Sequence, residues 1–163
     1  MNNKRVKVGI CIGLLLVCIG VNRFQTAQDQ RGIEEKVIRI ESGALSQTVT
    51  LSELEALGTS FEAVFKRKVG EPETHTYTGV SVEQILSMSD IEINEAQHVQ
   101  VSSIDQYTVV LPYEEVTEKA HAYIVFEKDH VPLGEDSGPF MLVLKNDVLS
   151  TRWNRQVTTL EVE

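Results

Sequence analysis

The chain has 163 residues, 42% hydrophobic and 24% charged, with a formal net charge of −9. That profile fits one folded domain with a short extension, and it excludes a disordered or low-complexity chain. From Val37 onward nine Lys and Arg stand against 21 Asp and Glu, a balance of −12. This balance speaks against a nucleic-acid partner, because such binding is dominated by neutralising phosphates.

Lys4, Arg5 and Lys7 precede an uncharged run from Val8 to Val21. A positive start followed by such a run is the layout of an export signal. The run is shorter than the roughly 20 residues that span a bilayer comfortably. No A-x-A cleavage pattern follows, and Val17 occupies the place where a lipoprotein signal needs a small residue before Cys18. The preferred expectation is therefore an uncleaved membrane anchor over residues 1–24, with a cleaved signal and a secreted domain as the alternative. Basic residues stay inside, so the rest of the chain is expected outside the cytoplasm. Residues 25–36 read as a polar linker, and residues 37–163 as the domain. The only cysteines, Cys11 and Cys18, lie in the apolar run. The domain thus has no disulfide, no thiolate metal ligand and no cysteine nucleophile.

Within the domain, Val37–Ile40 and Thr48–Leu51 read as strands. Leu51–Gly58 reads as a helix in which Ser52 and Glu55 form a capping box and Gly58 is the stop. Phe61–Lys68 alternates like a strand. Thr76–Val80 leads into a second helix capped by Ser81. Val99–Ser103 and Tyr107–Leu111 flank a hairpin turn, and Pro112 suits the first turn of a short helix. Ala122–Phe126 is a continuous apolar run expected at the centre of a sheet. Phe140–Leu144 is another such run, and Gln156–Val162 is a terminal strand. Short strands and short helices in no regular βα repeat predict an α+β domain with mixed sheets.

In this order the segments resemble the oxidoreductase molybdopterin-binding domain, the fold of sulfite-oxidase-like enzymes. Val49–Leu54 is similar to the family's opening strand-to-helix element, and Tyr77–Leu86 to its aromatic-x-Gly-Val segment. Ser102–Leu111 with Pro112–Val116 resembles its strand pair and following turn. His130–Leu133, Gly138–Val143 and Arg152–Arg155 resemble its closing stretch. The resemblance implies a molybdopterin cofactor and oxidoreductase chemistry. It also implies a cysteine that ligates molybdenum between the first element and the Gly-Val segment. Phe61–Thr76 contains none, and another side chain does not reproduce a soft thiolate's metal electronics. Conventional cysteine-ligated molybdenum is not expected.

Two basic clusters stand out in an acidic domain: Lys66-Arg67-Lys68, and Arg152 with Arg155. Under the resemblance both approach the cofactor site, so they are candidate contacts for a pterin phosphate or another anion, since Arg forks suit such groups. The competing reading is a pair of solvated faces. Trp153, the single tryptophan, is either a wall of that pocket or a core anchor. His75 precedes Tyr77-Thr78-Gly79 near the expected pocket. His75, His98, His121 and His130 lack the spacing of a metal site, and no metal ligands or catalytic residues are assigned. Two functions follow. The preferred one is a membrane-tethered, extracytoplasmic, non-catalytic module that binds a small anion or a redox or membrane protein partner. The alternative is a pterin-dependent oxidoreductase or its cofactor-carrying subunit.

Overall fold

The structure is a computed structural model that describes residues 35–95 and 97–163. The expected anchor at 1–24 and nearly all of the linker lie outside these residues. Among the described residues no helix is long and apolar enough to cross a membrane.

Among the described residues, eleven short strands and three helices of five to seven residues follow one another without a βα repeat. The first sheet contains β1 (Val37–Ser42), β2 (Leu45–Thr50), β5 (His98–Ser103), β6 (Thr108–Pro112) and β11 (Val157–Val162), in the order β2-β1-β11-β5-β6. Its β1–β11 pair is parallel while its other pairs are antiparallel, as expected of a mixed sheet. The second sheet runs β10-β9-β7-β4-β3, with β8 beside β7. Its members are β3 (Thr59–Phe65), β4 (Glu73–Ser81), β7 (Ala122–Lys128), β8 (Val131–Pro132), β9 (Met141–Leu144) and β10 (Asn154–Arg155).

Alternation sets the faces of these strands. In β1, Ile38 and Ile40 are buried between half-buried neighbours, and in β5 Val99 and Val101 do the same. The two apolar runs are central, as their composition predicts: β7 lies between β4 and β9, and all four residues of β9 are buried. A single cluster takes in Ile38, Val101 and Leu160 of the first sheet with Val80, Ile124 and Leu142 of the second. Asn154 ties the sheets together, its side-chain amide donating to the Val101 and Tyr107 carbonyls at 3.0 Å each.

The helices are α1 (Leu51–Leu57), α2 (Val82–Met88) and α3 (Tyr113–Thr117). Ser81 caps α2 by accepting from the Gln84 amide, as expected. The cap of α1 differs from the sequence reading. Thr50, the last residue of β2, holds the extended cap conformation and accepts from the Glu53 amide, while Glu53 accepts from the Thr50 amide at 2.7 Å. Strand and helix meet with no loop between them, so Ser52 already lies in the first turn and cannot cap it. Gly58 is also used differently. Its φ of −58° is open to any residue, but a Cβ there would stand 2.7 Å from Cζ of Phe126. The residue is small for clearance, not for a left-handed turn. β3 ends at Phe65 and not at Lys68, because the Lys66 amide and carbonyl bond the side chain and amide of Ser150 at 2.9 and 2.8 Å.

Candidate functional site

Arg155, Met141, Val125 and Gly79 are paired in register across β10, β9, β7 and β4. Register partners project to the same side of a sheet, so this row forms one shelf. Gly79 is required at its end, because a Cβ would meet the Ile124 carbonyl oxygen and come within 2.7 Å of the Val125 Cα. Two residues back along β4, on the same side, stands Tyr77, and two further back each His75 and Glu73. Phe65 of β3 pairs with Glu73.

A cleft of about 220 Å³ opens over this shelf. Its floor is aromatic and apolar: Phe65, Tyr77, Met141 and Trp153. Trp153 is packed between Phe65 at 5.6 Å and Tyr77 at 5.7 Å, the latter edge-on, and its indole N–H donates to the Leu144 carbonyl at 3.1 Å. Trp153 is buried and also walls the cleft. The rim is charged, with Arg67, Lys128 and Arg155 around it and Glu73 as the one carboxylate in the lining. Ser137 and Ser150 add hydroxyls. Arg67 lies over the Phe65 ring at 5.0 Å, a cation–π contact that keeps its guanidinium at the floor's edge. Among the described residues, none of Arg67, Lys128 and Arg155 forms an ion pair within 4.0 Å.

Tyr77 is only 2% exposed. Burial pushes its phenol up to about 12, the nearby Asp129 and Glu73 carboxylates push the same way, and Arg155 opposes them. At neutral pH the hydroxyl therefore keeps its proton and stands as a donor, within electrostatic reach of Glu73 and Arg155.

The other candidate residues are placed elsewhere. Lys66 and Lys68 are exposed on the β3–β4 connection and do not line the cleft. His75 sits beside it, its ring nitrogens at 2.8 Å from Asp129 and 3.3 Å from Glu73. Asp129 also accepts from the Thr76 amide, which holds its carboxyl below the ordinary range with help from His75. Arg152 points away into a clasp: it donates to both Asp147 oxygens at 2.9 and 2.6 Å and to Glu115 at 2.8 Å. Those bonds, Asp147 first, hold it firmly protonated. Its partners are consumed in joining the 3₁₀ turn Ser150–Arg152 to α3, a structural task. Sequence reasoning missed Glu73, Tyr77 and Lys128 as lining residues. The signal was present in Glu73-x-His75-x-Tyr77, whose period of two puts all three on one side of a strand.

The family model of the oxidoreductase molybdopterin-binding domain matches residues 39–163. The chain belongs to the oxidoreductase molybdopterin-binding domain family. Among solved structures it is similar to the sulfane dehydrogenase SoxCD from Paracoccus pantotrophus, with a TM-score of 0.65 and 16% identity. The likeness covers 77% of this chain and 37% of that one, so this chain spans little more than a third of its neighbour's length. At that identity the likeness establishes the fold. No curated protein matches the sequence.

The family binds molybdopterin, and the cleft's residues fit that group in one respect only. Arg67, Lys128 and Arg155 suit a phosphate. A thiolate donor for the metal is missing, since residues 35–163 contain no cysteine. Among the described residues no group of three His, Cys, Asp or Glu is arranged to hold a metal ion. The cleft of about 220 Å³ is also below the roughly 300–1,000 Å³ of pockets that enclose ligands of drug size.

Proposed function

We propose that this domain is an oxyanion-binding module, non-catalytic, tethered to the membrane by residues 1–24 and held outside the cytoplasm. The observation that carries the reading is the convergence of Arg67, Lys128 and Arg155 on one small cleft with a protonated Tyr77 at its floor. In a domain whose balance is −12, three cations gathered at one cleft, none in an ion pair within 4.0 Å among the described residues, favour a place where charge is kept for a ligand. Guanidinium groups fork onto oxyanions, and the low-polarity floor beneath strengthens those bonds. The missing thiolate and the cleft's small size favour an anion over a complete pterin cofactor. The tether rests on the basic start and the apolar run of residues 8–21; a redox or membrane protein is the partner such a tether would bring near.

A second reading has its own support in the family membership: a cofactor-carrying oxidoreductase subunit, with its site completed by another chain. Phosphate or sulfate titration tests the anion site. The full chain is expected to gain thermal stability with either anion beyond what sodium chloride gives at equal ionic strength. Arg67→Ala with Arg155→Ala removes that gain. Arg152→Ala lowers the starting melting temperature, by breaking the clasp to Asp147 and Glu115, and keeps the gain. An anion gain that persists in the Arg67→Ala, Arg155→Ala protein contradicts the assignment.

A further inference from the structure

Of the charged groups that line the cleft, every one is a hydrogen-bond donor except one. Arg67, Lys128 and Arg155 donate only, and Tyr77 keeps its phenolic proton. The Ser137 hydroxyl can take either role, while that of Ser150 already accepts from the Lys66 amide and donates to the Val64 carbonyl. Glu73 is the exception, the one carboxylate in the lining. It is no stray surface charge. Glu73 Oε2 is 3.3 Å from His75 Nε2, and His75 Nδ1 is in turn 2.8 Å from Asp129, whose other oxygen accepts from the Thr76 amide at 3.0 Å. His75 thus lies between the Asp129 and Glu73 carboxylates, beside the cleft. Glu73 and Tyr77 stand on the same side of β4, with His75 between them.

We infer that Glu73 makes the cleft selective for a tetrahedral oxyanion that still carries a proton, the hydrogen phosphate type, over a fully deprotonated one such as sulfate. The inference rests on the cleft being an anion site. Its physical basis is that a proton-bearing oxyanion donates its O–H to Glu73 while its remaining oxygens accept from Arg155, Arg67 and Tyr77. Sulfate has the same shape and charge and no proton, so it sets lone pairs against the carboxylate. A site built to accept a hydrogen bond rejects an analogue that lacks the donor, because the acceptor is left unpaired beside a like charge. Glu73 is 60% exposed, so water screens part of the repulsion and the discrimination is moderate, roughly five- to tenfold. His75 is a positioning residue here, since it touches the carboxylate and does not line the cleft.

The test uses the full chain at pH 7.5, with inorganic phosphate, methyl phosphate and sulfate compared by calorimetric titration at fixed ionic strength. Phosphate is expected to bind roughly five- to tenfold more tightly than sulfate. In Glu73→Gln the ratio falls to within about twofold of unity, mainly because sulfate binds better. Methyl phosphate, a monoester almost wholly without its last proton at this pH, is expected to bind close to sulfate, and this ranking distinguishes free phosphate from an esterified source. Wild-type sulfate affinity equal to or above that of phosphate overturns the inference, as does an unchanged ratio in Glu73→Gln. If neither anion binds the wild type, the anion cleft itself fails and this inference falls with it.

Discussion

Tyr77 joins the core to the cleft, and its ionisation reports on both. In an unfolded chain a tyrosine loses its proton near pH 10; here burial, then the charges of Asp129 and Glu73, push the phenol to about 12. The folded state holds the proton where the unfolded state has released it. The stability contributed by Tyr77 is therefore complete below about pH 10 and lost as pH rises toward 12. Ultraviolet titration should show a phenolate transition near pH 12 that is absent from Tyr77→Phe, and the variant should resist alkaline unfolding better. A Tyr77 transition near 10 would place the ring in water and remove the donor from the cleft floor. Asp129 acts in the opposite range. Its carboxyl is lowered, first by the Thr76 amide, so its contribution is present at neutral pH and is lost on acidification.

Among the elements, β11 carries an internal conflict. Glu161 faces Glu41 across the parallel β1–β11 pair and Gln100 across β5. Burial raises the Glu161 carboxyl above its ordinary range, and Glu163 and Glu41 add to the effect. A raised carboxyl pKa means that the folded state prefers the proton, so ionisation at neutral pH costs stability and the cost disappears as pH falls through the carboxylate range. Glu161→Gln should stabilise the domain at pH 7 by up to about 0.5 kcal/mol, screening keeping the gain small. The corresponding rise is about 1–2 °C in melting temperature, with no difference between the proteins at pH 3. A loss of stability at pH 7 would mean that the carboxylate makes a favourable contact. The elements themselves were largely legible. The apolar runs of β7 and β9, the β5–β6 hairpin and the Ser81 cap follow from composition and spacing. The α1 cap did not, because Ser52-x-x-Glu55 and Thr50-x-x-Glu53 are equally good patterns in the sequence. Tertiary placement of β2 chose the second, by running the strand directly into the helix.

For the molecule as a whole, the resemblance carried by segment order led to the right family. The site was legible only in part, for a physical reason. Clusters adjacent in sequence, such as Lys66-Arg67-Lys68, place successive side chains on different sides, and only Arg67 reaches the cleft. Arg152 and Arg155 likewise diverge, one to the Asp147–Glu115 clasp and the other to the shelf. The cleft is assembled from β3, β4, β7, β9 and β10, whose adjacency depends on sheet order, and no local pattern reveals that order. Lys128 became visible as a neighbour of Tyr77 only through the pairing of β4 with β7, and Glu73 as a neighbour of Phe65 through that of β4 with β3.

On the proposed reading, a fold whose family binds molybdopterin here serves a small oxyanion through its own cations, without a thiolate-held metal. Elemental analysis with pterin fluorescence, on the full chain purified from its native source, tests this most directly. Molybdenum and tungsten well below one per chain, no pterin signal and a folded protein are the expected result. Stoichiometric metal with a pterin signal would contradict it and make this chain a cofactor-bearing subunit with a ligand other than cysteine.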